Sequence, residues 1–400
     1  MQSVDSRYAW WRLAASTALG MFGSFGLWGV VVIFPSLQAE FAASRADVSF
    51  AYTTTMLGFG AGAILLGRTI DTRGAFFTMT LSSLLLAAGC AAAALAPSLW
   101  LFSGLQALIG VGSAAAFIPL VADISHWFKR RRAFAMAICA SGNYVGGAAW
   151  PKIVDSLTSS HDWRTAYLAV AAICLVGMLP CCLALRARLP VAYRDGASAV
   201  APHSARALGL SPTGLQVWLA IAGIGCCVAM SMPQVHIVAY CVDLGYGSAR
   251  GADMLAIMTV CGIVSRVGSG LIADRIGGIR TLLLSSMLQA VALLLYLVSD
   301  KLTSLYLVSA LFGLVQGGII PSYGVIVREY FPPQEAGTRM GIAISATIAG
   351  MALGGWMGGA LFDLTGSYHA AFLNGIAFNI LNGAIAWWLL MRQSRRLVYA

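Results

Sequence analysis

Of the 25 lysines and arginines in the chain, one, Arg266, falls well inside an apolar stretch. In a membrane-spanning helix such a charge costs about 2.5–3.5 kcal/mol at the centre, so it is kept for something it binds. Its planar fork of N–H donors matches a carboxylate through two parallel hydrogen bonds. The competing role is structural: a guanidinium tied to helix-end carbonyls, or a stem that reaches toward the nearer face. His236 follows Pro233 and Gln234 in another apolar stretch. A proline there frees a backbone carbonyl, and a histidine can change charge near neutral pH. The alternative is a neutral histidine bonded to a neighbouring helix. Asn143, Tyr144, Trp28, Trp356 and Tyr323, the last just after Pro321, lie near the middle of further apolar stretches. They can bond or box a small organic acid, or simply pack, and Gln316 is a weaker case of the same kind. Asp123 and Asp243 stand only near the ends of their stretches.

The elements that must hold these residues follow from composition. Hydrophobic residues make up 59% of the 400 and charged residues 10%, against about 45–50% and 25% in ordinary soluble domains. The mean hydropathy is +0.80. A soluble surface cannot be covered with so few charges, so the chain reads as an all-α integral membrane protein. Twelve stretches supply the roughly 20 apolar residues a spanning helix needs. They lie near 13–34, 47–67, 75–95, 98–124, 133–154, 165–185, 215–242, 252–273, 279–298, 302–327, 338–362 and 369–391. With the N-terminus inside, 19 basic residues fall in inner segments and 5 in outer ones. That bias predicts both termini in the cytoplasm. It also accounts for the net charge of +10 without a nucleic-acid partner. The basic run at 129–132 suits an inner loop beside anionic lipid. Low lysine (3) against high arginine (22) points to a bacterial source, hence to the inner (plasma) membrane. The nine cysteines sit in apolar stretches without C-x-x-C spacing and read as small hydrophobes. The glycine rows at 20, 23, 26 and 29 and at 350, 354 and 358 read as close helix contacts. No metal cluster, phosphate loop or nucleophile–base set is present, so neither a cofactor nor an enzyme is expected.

The chain repeats itself. GRTIDTRG at 67–74 and GLIADRIG at 270–277 align Gly67, Asp71 and Gly74 with Gly270, Asp274 and Gly277 at one offset of 203, and Arg275 follows Asp274. The same offset relates Phe128 to Phe331. Glycines allow a tight reversal, and the aspartate can cap the next helix or meet a cytoplasmic arginine. The arrangement predicts a six-helix bundle over 1–185, a cytoplasmic linker over 186–214 and a second bundle over 215–400. Parallel repeats of this kind are related by an axis along the membrane normal, with a site near the midplane.

On these residues the chain resembles the major facilitator superfamily, whose signature runs roughly G-x-x-x-D-R-x-G-R-R. Four stretches look most like the monocarboxylate transporter and oxalate/formate antiporter branch: HWFKRRRA at 126–133, HIVAYCVDLG at 236–245, RVGSGLIADR at 266–275 and LFDLTGSY at 361–368. The resemblance implies twelve helices in the major facilitator fold, alternating access gated by the 67–74 and 270–277 motifs, and Arg266 as a key substrate residue. Many members of that branch carry an aspartate one turn before the arginine for proton coupling. Here that place is Gly262, which leaves His236 and Asp243 as proton candidates.

The expectation is a monomeric secondary transporter of small organic anions, with monocarboxylates such as lactate or pyruvate first. A dicarboxylate or oxalate/formate-type exchanger is the alternative. Those exchangers use a second basic residue in the eleventh helix, where this chain has only Arg339 at the edge. Cationic-drug efflux lacks its embedded acid. A non-transporting sensor on the same scaffold is the rival of another class.

Overall fold

The computed structural model describes residues 4–187 and 208–397, and all its regular structure there is helical. Most of the linker expected at 186–214 therefore lies outside the described residues. The chain begins with α1 (Arg7–Gly23), α2 (Phe25–Trp28), a 3-10 turn at Val30–Ile33 and α3 (Phe34–Phe41). It continues through α4 (Arg45–Arg73), α5 (Ala75–Ala94), α6 (Leu99–Ala114), α7 (Ile118–Trp127), α8 (Arg132–Ser160) and α9 (Trp163–Leu183). Then follow α10 (Pro212–Asp243), α11 (Ser248–Ile276), α12 (Gly278–Leu297), α13 (Leu302–Gln316), α14 (Ile319–Tyr330), α15 (Pro333–Thr365) and α16 (Tyr368–Leu397). Among the described residues, eleven segments are long and apolar enough to cross a membrane. The remaining expected span is α8, whose 29 residues include Asn143, Lys152 and Asp155 and so are less apolar.

Three of the expected spans are not single helices. The first breaks after Gly23, where the Ser24 N–H still bonds back to Gly20 and Pro35 restarts the helix as α3. The fourth breaks at 115–117 before Pro119, and the tenth at Gly317 and Gly318 before Pro321. A proline is favoured in the first turn of a helix because its missing N–H has no partner there anyway. The last two breaks fall at nearly matching places in the repeat.

The described residues divide into two compact units. One takes in Met1–Ala197 with Val238–Thr259, and the other Ser198–Ile237 with Val260–Ala400. In the first, α4 packs on α6, α5 on α6 and α9, and α1 on α8. The α1–α8 contact needs glycine: a Cβ on Gly142 would lie 2.3 Å from the Thr17 carbonyl oxygen, and one on Gly146 2.4 Å from that of Met21. At one end of this unit the side chain of Arg12, only 2% exposed, meets Asp123 at 2.8 Å. Its guanidinium also donates to the Ala187 carbonyl and lies over the Trp127 ring. Arg12 thus belongs inside α1, and the first helix begins earlier than hydropathy alone predicts. Two further ion pairs, Arg45–Asp243 and Lys152–Asp253, tie 238–259 into the same unit.

In the second unit α12 packs on α13, α14 and α16, and α15 on α14 and α16. Gly350 and Gly354 of α15 sit against the backbone of α10, with Cβ positions 2.6 Å from the Ile224 oxygen and 2.7 Å from that of Val228. The repeated turns reproduce each other closely. Gly74 has φ 87° and ψ 167°, and Gly277 has φ 84° and ψ 164°, a region open essentially to glycine alone. Downstream they differ, because the Glu329 carboxylate accepts from the Gly278 N–H at the start of α12. Gly67 and Gly270 face open space, Asp274 and Arg275 are exposed, and the side chain of Asp71 lies outside the description.

Candidate substrate site

The second unit holds most of the predicted site residues. Arg266 lies midway along α11, half-buried, and its Nε atom is out of reach of solvent. The α13–α14 break lies directly on this part of α11: a Cβ on Gly317 would stand 2.4 Å from the Gly262 carbonyl oxygen, 2.9 Å from Ser265 Cβ and 3.1 Å from the Arg266 backbone N. Glycine at 317 therefore brings the end of α13 against the helix that carries the guanidinium. The last residue of α13 is Gln316, 1% exposed, and its amide oxygen accepts a hydrogen bond from the amide of Gln234 on α10.

Tyr323 on α14 is likewise buried. Its hydroxyl donates to Asn382 Oδ1 (3.0 Å), and Asn382 Nδ2 donates to Ser286 Oγ (2.6 Å). Asn379 closes the set by donating to the Ser286 carbonyl (2.8 Å). Hydropathy alone did not single out Ser286, Asn379 or Asn382. The spacing of the two asparagines, three residues apart on one face of α16, is the signal that could have found them. Linked polar groups in an apolar unit hold one another in position, although among the described residues the buried Asn379 Oδ1 has no hydrogen-bond partner.

His236, 1% exposed, packs elsewhere in the same unit. Its Nε2 lies 2.9 Å from the Gly355 carbonyl, and its ring is 5.4 Å from that of Tyr368. A carbonyl only accepts, so Nε2 carries the hydrogen and Nδ1 is the nitrogen that would take up a proton. Trp356 is 41% exposed and two residues away from both Gly354 and Gly358, hence on the face of α15 opposite the glycine row. The structure therefore places Trp356 and His236 on different faces of α15. Asp243 is engaged with Arg45.

In the first unit, Asn143 and Tyr144 of α8 are buried, next to the α1 contact made by Gly142 and Gly146. One turn on, a Cβ on Gly147 would lie 3.0 Å from Nε1 of Trp28. That indole is 7% exposed, and its N–H has no hydrogen-bond partner among the described residues. The structure thus gathers Trp28, Asn143 and Tyr144 into one neighbourhood. Among the described residues no group of histidines, cysteines and acids could hold a metal ion.

Membrane-length helices, glycine-mediated helix contacts and buried polar side chains define an all-helical, polytopic membrane protein. The model of the Major Facilitator Superfamily matches residues 16–305 and 269–398. Monocarboxylate transporter 13 of Rattus norvegicus is 27% identical over 377 residues, spanning 93% of this chain and 85% of that protein. Two crystal structures share the fold. The nucleoside transporter NupG, a mutant form, superposes with a TM-score of 0.74 at 13% identity, over 95% of this chain and 99% of its own. A bacterial homologue of the human lysosomal transporter Spinster, inward-facing and occupied, does so with a TM-score of 0.72 at 15% identity over 98% of each chain. The chain belongs to the major facilitator superfamily, and it is a transporter of a small molecule across a membrane rather than an enzyme.

Proposed function

We propose that the protein carries small monocarboxylates by alternating access, with Arg266 as the counter-charge of the substrate carboxylate. The observation that carries this reading is a half-buried arginine midway along α11, at the place where Gly317 brings the α13–α14 break against the α11 backbone. The similarity to proteins named monocarboxylate transporters supports it. Arg339, the other base that an exchanger of dicarboxylates could use, is bound to Glu335 at 3.0 Å, so one carboxylate per cycle fits the charge better than two. Tyr323, Trp28, Asn143, Tyr144 and Trp356 contribute polar or aromatic contacts in this reading. With Gly262 in place of an acid, the coupling proton is assigned to His236 or Asp243. The 67–74 and 270–277 turns serve as gating hinges. The two bundles, 1–185 and 215–400, work as a monomer in a bacterial inner membrane with both termini inside.

The test is uptake of labelled lactate and pyruvate into proteoliposomes, with and without an inward proton gradient, for wild type and Arg266→Ala. Uptake that the gradient raises and the substitution abolishes is the expected result. Uptake indifferent to the gradient but driven by anion loaded inside would turn the reading to exchange. If wild type moves neither acid, or Arg266→Ala moves both, the monocarboxylate assignment fails.

A further inference from the structure

Gln234 and Gln316 form a buried amide pair, 5% and 1% exposed. One hydrogen bond joins them, from the Gln234 amide N–H to the Gln316 amide oxygen. Among the described residues the two remaining functions, Gln234 Oε1 and Gln316 Nε2, are buried and have no hydrogen-bond partner. Exchanging the nitrogen and oxygen of both amides changes nothing essential: a single bond always leaves one acceptor and one donor open. Each open group costs desolvation that the pair itself does not recover, on the order of 1–3 kcal/mol. A helix contact made only for packing is better served by two leucines. The pair also has a definite place, since Gln316 precedes Gly317, the residue that lies on the backbone of Gly262 and Arg266.

We infer that the Gln234–Gln316 pair reads the substituent on the second carbon of the substrate and favours a hydroxyl. The inference rests on the monocarboxylate reading above, in which Arg266 holds the carboxylate. A hydroxyl next to a carboxylate both donates and accepts, so it answers the open Oε1 and the open Nε2 together. A keto oxygen only accepts and leaves Oε1 unanswered. An unsubstituted acid answers neither. Sites built around a hydroxyl reject the analogue that lacks it, because the site's own polar groups then stay buried and unpaired. The order expected is therefore 2-hydroxy acid, then 2-oxo acid, then unsubstituted acid.

The experiment measures inhibition of labelled propionate uptake in proteoliposomes by unlabelled lactate, pyruvate and propionate. Half-inhibiting concentrations are compared as ratios, which cancel differences in protein amount. One recovered hydrogen bond corresponds to about a tenfold ratio, so wild type is expected to favour lactate over propionate by about tenfold or more, with pyruvate between. In Gln234→Met/Gln316→Met both polar partners go and the volume is kept, a change that leaves no orphan. The lactate-to-propionate ratio is then expected to fall to about one. A wild type without preference, or a double variant that keeps the preference, overturns the inference and leaves the monocarboxylate reading intact. If that double variant does not assemble, Gln234→Leu/Gln316→Leu, which also removes both amides, decides in its place by the same ratio. Wild type that transports none of the three acids overturns the monocarboxylate reading, and this inference falls with it.

Discussion

Gly317→Ala isolates the contact on which the proposed Arg266 site depends. The backbone of Gly317 has φ −61° and ψ −23°, which any residue adopts, so the whole penalty is steric. The new methyl carbon would lie 2.4 Å from the Gly262 carbonyl oxygen, where ordinary contact begins at 3.4 Å. The opposing atom is backbone and cannot swing aside, so the α13–α14 break must retreat from α11 by about 1 Å. Overpacking of this kind costs about 1–3 kcal/mol. A 1 Å misplacement of positioned groups costs on the order of 10²-fold in the step they assist. The expected result is a KM for the carboxylate raised 10- to 100-fold, with a modest fall in the thermal midpoint in detergent. Gly324→Ala, in the next helix, is the control. There the methyl would meet only the end of the Met340 side chain, its terminal carbon at 2.7 Å and its sulfur at 3.5 Å, a flexible end that moves at little cost, and KM should stay within about twofold. Proteoliposome uptake gives KM, and differential scanning fluorimetry gives the midpoint. A Gly317→Ala protein with wild-type KM would refute the claim that this close approach sets the geometry around Arg266.

Two further perturbations follow from the fold. Arg12→Met breaks an ion pair whose arginine is almost fully buried and should cost about 3–5 kcal/mol, because it strands Asp123. Arg12→Met/Asp123→Leu should recover most of that loss, and equal thermal midpoints for the single and double variants would contradict it. Ala at Gly74 or Gly277 must adopt a positive φ and should cost about 1–3 kcal/mol. Gly67→Ala, in open helical space, should hold or raise the midpoint. A destabilisation at Gly67 matching that at Gly277 would show that the turns are not limited by backbone strain.

The helices were legible because lipid imposes length and hydropathy on the chain, and the 203-residue repeat reappears in the twin backbone of Gly74 and Gly277. Arg266 was legible for the same reason, since a charge inside an apolar run announces itself. The breaks at Gly23 and at Gly317 were not, because apolar residues run straight through both. Nor were the partners of Arg12, Gln234, Tyr323 and His236. Gln234 and Gln316 are 82 positions apart, Arg12 and Asp123 111, and only the tertiary path brings them together. Hydropathy marks that a polar residue is inside. It carries no record of what that residue faces.

The glycine row of α15 has one more consequence. Where Gly350 and Gly354 lie on the α10 backbone, the helices are joined main chain to main chain, and hydrocarbon tails are as apolar as any side chain that could intervene. Such a seam draws nothing from the exclusion of water and so is indifferent to which apolar solvent surrounds it. Detergent extraction will strip the lipid from Leu57, Ile64 and the other outward-facing residues while leaving the α10–α15 register as it was. Cysteine crosslinks placed along that seam can therefore serve as a fiducial mark, reporting whether purified protein still holds its native arrangement before any transport assay begins.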